Sequence, residues 1–192
     1  MKKEIKVFGF GIGEMVEKYA KEKIVGHPLW ASQFLYSDPE AIYQGYMEFL
    51  RAGSQIISTI TYQASIEGFI EHFQLGEREA IELMKKAVDL AKKAVKDYKE
   101  EIKDCTDVPN PEPLIAGSIG SYAAFLHDGS EYSGPSYANE SMDRIVEWHK
   151  PRIEILVSEG VDLLAFHLMP CAKEVLALIE FLKQYPGGNF VF

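Results

Sequence analysis

A chain of 192 residues can bury one sizeable core, and 47% hydrophobic with 26% charged residues is ordinary for a globular protein. Twenty Lys and Arg against 29 Asp and Glu give a formal charge of −9, which speaks against a nucleic-acid partner. No run reaches the ~20 apolar residues of a membrane span, the opening M-K-K-E-I-K-V lacks a signal-peptide core, and two cysteines are too few for a disulfide framework; a cytoplasmic protein with no membrane partner is expected.

Residues 5–10 (I-K-V-F-G-F) read as a short strand. Ser37-Asp38-Pro39-Glu40 reads as a helix start, with Ser37 as the cap and Glu40 completing a capping box. The helix carries Tyr43, Tyr46, Met47 and Leu50 and ends at Gly53, a left-handed cap. Q-I-I-S-T-I-T (55–61) is β-branched and uncharged, the pattern of a strand covered on both faces. Residues 77–98 predict a long helix with Ala80, Met84, Ala87, Ala91, Ala94 and Tyr98 on one stripe and lysines opposite. The proline-rich stretch 104–113 is a loop, and L-I-A-G-S-I-G (114–120) is a strand running into a glycine turn. A helix over 140–159 contains Trp148 and is capped by Gly160. The next strand, within V-D-L-L-A-F-H-L-M-P (161–170), climbs to His167 and stops at Pro170. Ala172, Val175, Leu176, Ile179 and Leu182 form the stripe of another helix, and Asn189 to Phe192 begin a fifth strand.

This βα alternation implies a parallel sheet with right-handed crossovers. A dinucleotide-binding sheet is disfavoured: Gly9, Gly11 and Gly13 give G-x-G-x-G instead of G-x-G-x-x-G, and no acid ends a second strand. In such arrays the chemistry gathers at the C-terminal strand ends. Here those ends read F-G-F-G-I-G-E (8–14), S-T-I-T-Y-Q-A-S (58–65), G-S-I-G-S-Y-A-A-F-L-H-D-G-S-E-Y (117–132) and A-F-H-L-M-P-C (165–171).

Together with H-P-L-W-A-S (27–32), D-P-E-A-I (38–42), Y-M-E-F-L-R-A-G (46–53) and W-H-K-P-R-I-E (148–154), these segments closely resemble the homocysteine S-methyltransferase family, from about residue 5 to 185. The resemblance implies one partial homocysteine-binding domain over residues 1–192. Its fold is an α/β, incomplete (β/α)8 TIM-type barrel with about the first five parallel strands and their helices. It also implies methyl transfer from S-methylmethionine or S-adenosylmethionine to homocysteine, giving methionine, with zinc held by three cysteine thiolates. The metal keeps the homocysteine sulfur deprotonated for in-line attack on the methyl carbon.

Three departures bear on that activity. The family's strand-one aspartate is replaced in Gly9-Phe10-Gly11, its strand-two asparagine by Ile60, and its strand-four glutamate by His167. The family's aspartate and glutamate contact the amino-acid part of homocysteine, and a histidine does not replace a carboxylate facing an ammonium group. Matched position by position, Gly11, Thr61, Gln63 and Ser118 remain as substrate-binding candidates, with His167 as either an altered ligand contact or a structural residue. Turn and strand-end roles account for the first four equally well. Cys105 lies in the proline loop, and Cys171 stands where the family has no zinc ligand. Two cysteines cannot make a three-thiolate site, so no complete zinc site, no metal ligand and no catalytic residue is expected. The possible ligand is homocysteine or a related amino acid. Five strands cannot close a barrel, and the apolar Phe190-Val191-Phe192 points to a homo-oligomer or another assembly through the open sheet. Three functions stay open: an active methyltransferase, a non-catalytic relative that binds a ligand or partner, and a chain whose chemistry lies in a missing half.

Overall fold

The computed structural model describes residues 6–106, 112–134, 137 and 139–192. Five parallel strands form one sheet in sequential order: β1 (Phe8–Gly9), β2 (Ile56–Ser58), β3 (Leu114–Gly120), β4 (Leu163–His167) and β5 (Phe190–Val191). Each strand pairs only with its neighbours in sequence, with Ile57 beside Ile115 and Ser118 beside Ala165. A dinucleotide-binding sheet would reverse its strand order partway. A sequential order with right-handed crossovers puts every connecting helix on one face, which is how a (β/α) barrel begins. The expected α/β fold of five parallel strands is what the chain adopts, as an open sheet.

The principal helices are α3 (Pro39–Arg51), α5 (Glu77–Ile102), α8 (Met142–Ser158) and α9 (Ala172–Leu182). Shorter ones lie between strand ends and these helices: α1 (Ile12–Glu17), α2 (Phe34–Ser37), α4 (Ile66–Phe73), α6 (Tyr122–Leu126) and α7 (Ser130–Ser133). Among the described residues no helix is long and apolar enough to cross a membrane.

Period-two alternation divides the sheet. Ile57, Ile115, Ile119, Leu164 and Phe166 point to the helices, where they join Leu50, Met84, Ala91, Leu156 and Leu178 in two fully buried clusters. The opposite face carries Ala116, Leu163 and Ala165, with Phe8, Ile56 and Leu114 partly covered beside them. The predicted α5 stripe is buried as expected, and Gly53 and Gly160 take positive φ of 91° and 72° at the ends of their helices.

Three details differ from expectation. Asp38, not Ser37, caps α3: its carboxylate accepts the Ala41 amide at 3.3 Å, while Ser37 still belongs to α2 and its hydroxyl turns back to the Gln33 carbonyl. Strand β2 stops at Ser58, because β1 is two residues long and beyond it only β3 offers a partner, through Thr59 N–H to Ala116 O at 2.8 Å. Helix α9 buries Glu174, Ala177, Leu178 and Leu182, leaving Leu176 and Ile179 62% and 45% exposed. A helix apolar on most sides has two candidate stripes, and the one that carries Glu174 faces inward. The predicted loop at 104–113 lies partly outside the described residues.

Candidate functional site

A cavity of about 590 Å³ opens at the C-terminal ends of β1, β2 and β3. Gly11, with φ +79°, turns the chain from β1 into α1. That turn brings Glu14 and Glu17 to the wall beside Phe10. Trp30 and Tyr132 add aromatic surface, while Ser58, Thr59, Tyr62, Gln63 and Ser118 supply polar groups from the strand ends. Glu14 and Glu17 are the only charged residues among the described lining.

Of the predicted contacts, Gly11, Gln63 and Ser118 lie on this wall, and Thr61 and His167 do not. The Thr61 hydroxyl is buried and donates to the Ser118 carbonyl at 2.6 Å, with Thr59 Oγ1 2.7 Å away. Thr59 in turn accepts the Ser118 amide at 2.9 Å. Thr61 therefore ties β2 to β3. His167 ends β4, with its ring 4.5 Å from Phe10 and 5.8 Å from Phe8. Its Nε2 is buried without a hydrogen-bond partner. Burial lowers its pKa to about 4, so the imidazole is neutral at pH 7. A side chain at Gly9, where the family has its acid, would press on Ser54 Oγ at 3.0 Å and on the Ile56 carbonyl and Phe49 at 3.2 Å. A side chain at position 9 thus requires these neighbours to give by a few tenths of an ångström.

Behind the strand ends lies a buried polar cluster that sequence reading did not single out. Glu174 is fully buried on α9. It accepts the Tyr122 amide at 2.7 Å, His149 Nε2–H at 2.7 Å and the Tyr137 hydroxyl. A carboxylate only accepts, so Nε2 carries the histidine proton. Burial alone would raise the Glu174 pKa, but these hydrogen bonds outweigh it and hold the carboxylate below its usual range. Burial lowers His149 to about 4, which leaves it neutral at pH 7. Arg152, 1% exposed, supplies the compensating positive charge and packs 4.4 Å over Trp148. A signal was present: Ile145, His149, Arg152 and Leu156 share one apolar helical stripe, and a charge on such a stripe needs a partner.

The residues do not fit a thiolate-held zinc ion. Cys171 follows β4 and packs with Ala123, Tyr137 and Ile145. Cys105 is exposed beyond the end of α5, on the side where β3 begins. The two sulfurs thus sit at opposite ends of the sheet. Among the described residues no group of three His, Cys, Asp or Glu could hold a metal.

A sequential parallel sheet with its cavity at the strand ends defines a barrel-type α/β protein of the kind that places ligands there. The family model for homocysteine S-methyltransferase matches residues 7–190. The chain belongs to the homocysteine S-methyltransferase family. It is 43% identical over 182 residues to a betaine-homocysteine S-methyltransferase of Drosophila melanogaster, covering 94% of this chain and 54% of that protein. It is 39% identical over 160 residues to homocysteine S-methyltransferase 1 of Arabidopsis thaliana, covering 83% of this chain and 49% of that one. The metallated form of the Escherichia coli homocysteine methyltransferase MmuM superposes with a TM-score of 0.85 at 34% identity, over 98% of this chain and 62% of that one. The chain therefore spans about half the length of the curated relatives it matches.

Proposed function

We propose that these 192 residues form the amino-acid-binding part of a homocysteine S-methyltransferase-type barrel and do not carry out methyl transfer by themselves. The observation behind this is the pairing of a strand-end cavity walled by acids with two cysteines at opposite ends of the sheet. Two carboxylates, aromatic faces and hydroxyls suit a small ligand that presents a cationic group: the ammonium of zwitterionic homocysteine, or the sulfonium of S-methylmethionine. Transfer needs a sulfur nucleophile. A thiol with an ordinary pKa of about 8.5 is mostly protonated at neutral pH, and no metal-ligand set here would deprotonate it. In the family, zinc supplies that deprotonation. The carboxylates and hydroxyls of this chain bind and orient. Its place of action is the cytoplasm, where an exposed thiol such as Cys105 stays reduced.

A calorimetric titration of the purified chain with L-homocysteine and with S-methylmethionine tests the binding half of this reading. Saturable binding of either is the expected result, and silence with both would remove it. Metal determination with a methyl-transfer assay tests the catalytic half.

The exposed apolar surface favours a second role, assembly. Leu176, Ile179, Val191 and Phe192 are each at least 45% exposed on α9 and the β5 edge. Chains joined through these surfaces would cover them, and light scattering would then give a mass of two or more copies. A monomer at all accessible concentrations would contradict this.

A further inference from the structure

Arg152 donates to three backbone carbonyls from two strand ends. Nη1 bonds to Gly120 O at 3.2 Å, and Nη2 bonds to Thr61 O at 3.2 Å and Tyr62 O at 2.9 Å. These carbonyls close β3 and the segment after β2, which delivers Tyr62 and Gln63 to the cavity wall. The two segments also touch directly, because the Gly120 amide donates to Tyr62 O at 3.1 Å. A Cβ at Gly120 would lie 2.4 Å from that oxygen, so the approach requires glycine. We propose that Arg152 is a positioning residue, whose planar fork clamps the ends of β2 and β3 and so fixes where Tyr62 and Gln63 enter the cavity.

The competing account is that Arg152 serves only as the counter-charge to Glu174. Lysine separates the two. It keeps the charge but is a point donor on a flexible stem, and it cannot span three carbonyls in one plane. Native-state hydrogen exchange on the full chain compares Arg152→Lys with a remote core variant, Leu178→Ala, that lowers global stability without touching the clamp. The amides to follow are Gly120, bonded to Tyr62 O, and Ala64, bonded to Thr61 O. In Arg152→Lys these two should exchange at least ~tenfold faster, relative to amides in the middle of α5, than they do in Leu178→Ala. Protection lost only in step with α5, as in the control, would overturn the clamp and leave a counter-ion. A second measurement uses the unaltered chain. The Nη protons of Arg152 should exchange far more slowly than those of Arg51, whose pair with Glu101 is exposed. Equal exchange at the two arginines would contradict the proposal without any variant having to fold.

Discussion

Glu14 stands in the first turn of α1 and Glu17 one turn on, where they give the cavity its sign. Glu17 also accepts the Ile24 amide at 3.2 Å and approaches Lys23, which leaves Glu14 the freer carboxylate. Glu14→Gln should weaken S-methylmethionine binding by roughly fivefold, about 1 kcal/mol for a solvent-exposed ion contact. Calorimetry at low and high salt checks it, and unchanged affinity would discharge Glu14 from that role. Restoring the family's acid does not help: Gly9→Asp should cost about 1–3 kcal/mol from crowding, read from urea unfolding. That ligands gather at the strand ends was legible from the βα alternation, whereas Gly11, Gln63 and Ser118 came from the family resemblance, matched position by position, and all three lie on the cavity wall. Thr61, named in the same way, lies off the wall because its hydroxyl is engaged by the Ser118 carbonyl, a bond between segments 57 residues apart. Glu14 and Glu17 went unread because α1 is short and sits among glycines.

At the scale of elements, α8 and α9 are joined to the strand ends by charge as well as by packing. Glu174 and Arg152 are both buried, so removing one strands the other in a low-dielectric interior. Glu174→Ala should cost about 3–5 kcal/mol, well beyond an ordinary hydrogen bond, and chemical denaturation measures it. The same helix offers a test of its orientation. Leu178→Ala should cost about 2–5 kcal/mol and Leu176→Ala within about 0.5 kcal/mol, since Leu178 is fully buried and Leu176 is 62% exposed. Helix α3 was legible from its Ser-Asp-Pro-Glu start and apolar stripe, α5 from its stripe of alanines with lysines opposite, and α8 from the glycine that ends it. Helix α9 was placed correctly but rotated wrongly, because apolar residues occupy most of its surface and only the buried partners of Glu174 choose its face.

For the whole molecule, pH dependence follows from two histidines. His149 and His167 fall from an ordinary 6.5 to about 4 in the folded chain, both chiefly through burial. Between those values the unfolded chain binds more protons than the folded one. Stability is therefore full above about pH 6.5 and is lost as pH falls towards 4. His167→Phe should flatten that acid limb by about 1–2 kcal/mol, allowing for partial solvent contact, in thermal melts from pH 7 to 4.5. The parallel sheet was readable from βα alternation, while its sequential strand order followed from the resemblance to a barrel family, since a doubly wound sheet alternates in the same way. The buried cluster was not, because it joins residues from four separate segments, at Tyr122, at Tyr137, at His149 with Arg152, and at Glu174, whose proximity only the folded chain creates.

The most direct test of the central claim is a zinc determination on the purified 192-residue chain, run beside a methyl-transfer assay with homocysteine and S-methylmethionine. The expected result is far less than one metal per chain and no methionine above the uncatalysed rate, with the ligands still bound. Stoichiometric zinc together with accumulating methionine would contradict the account.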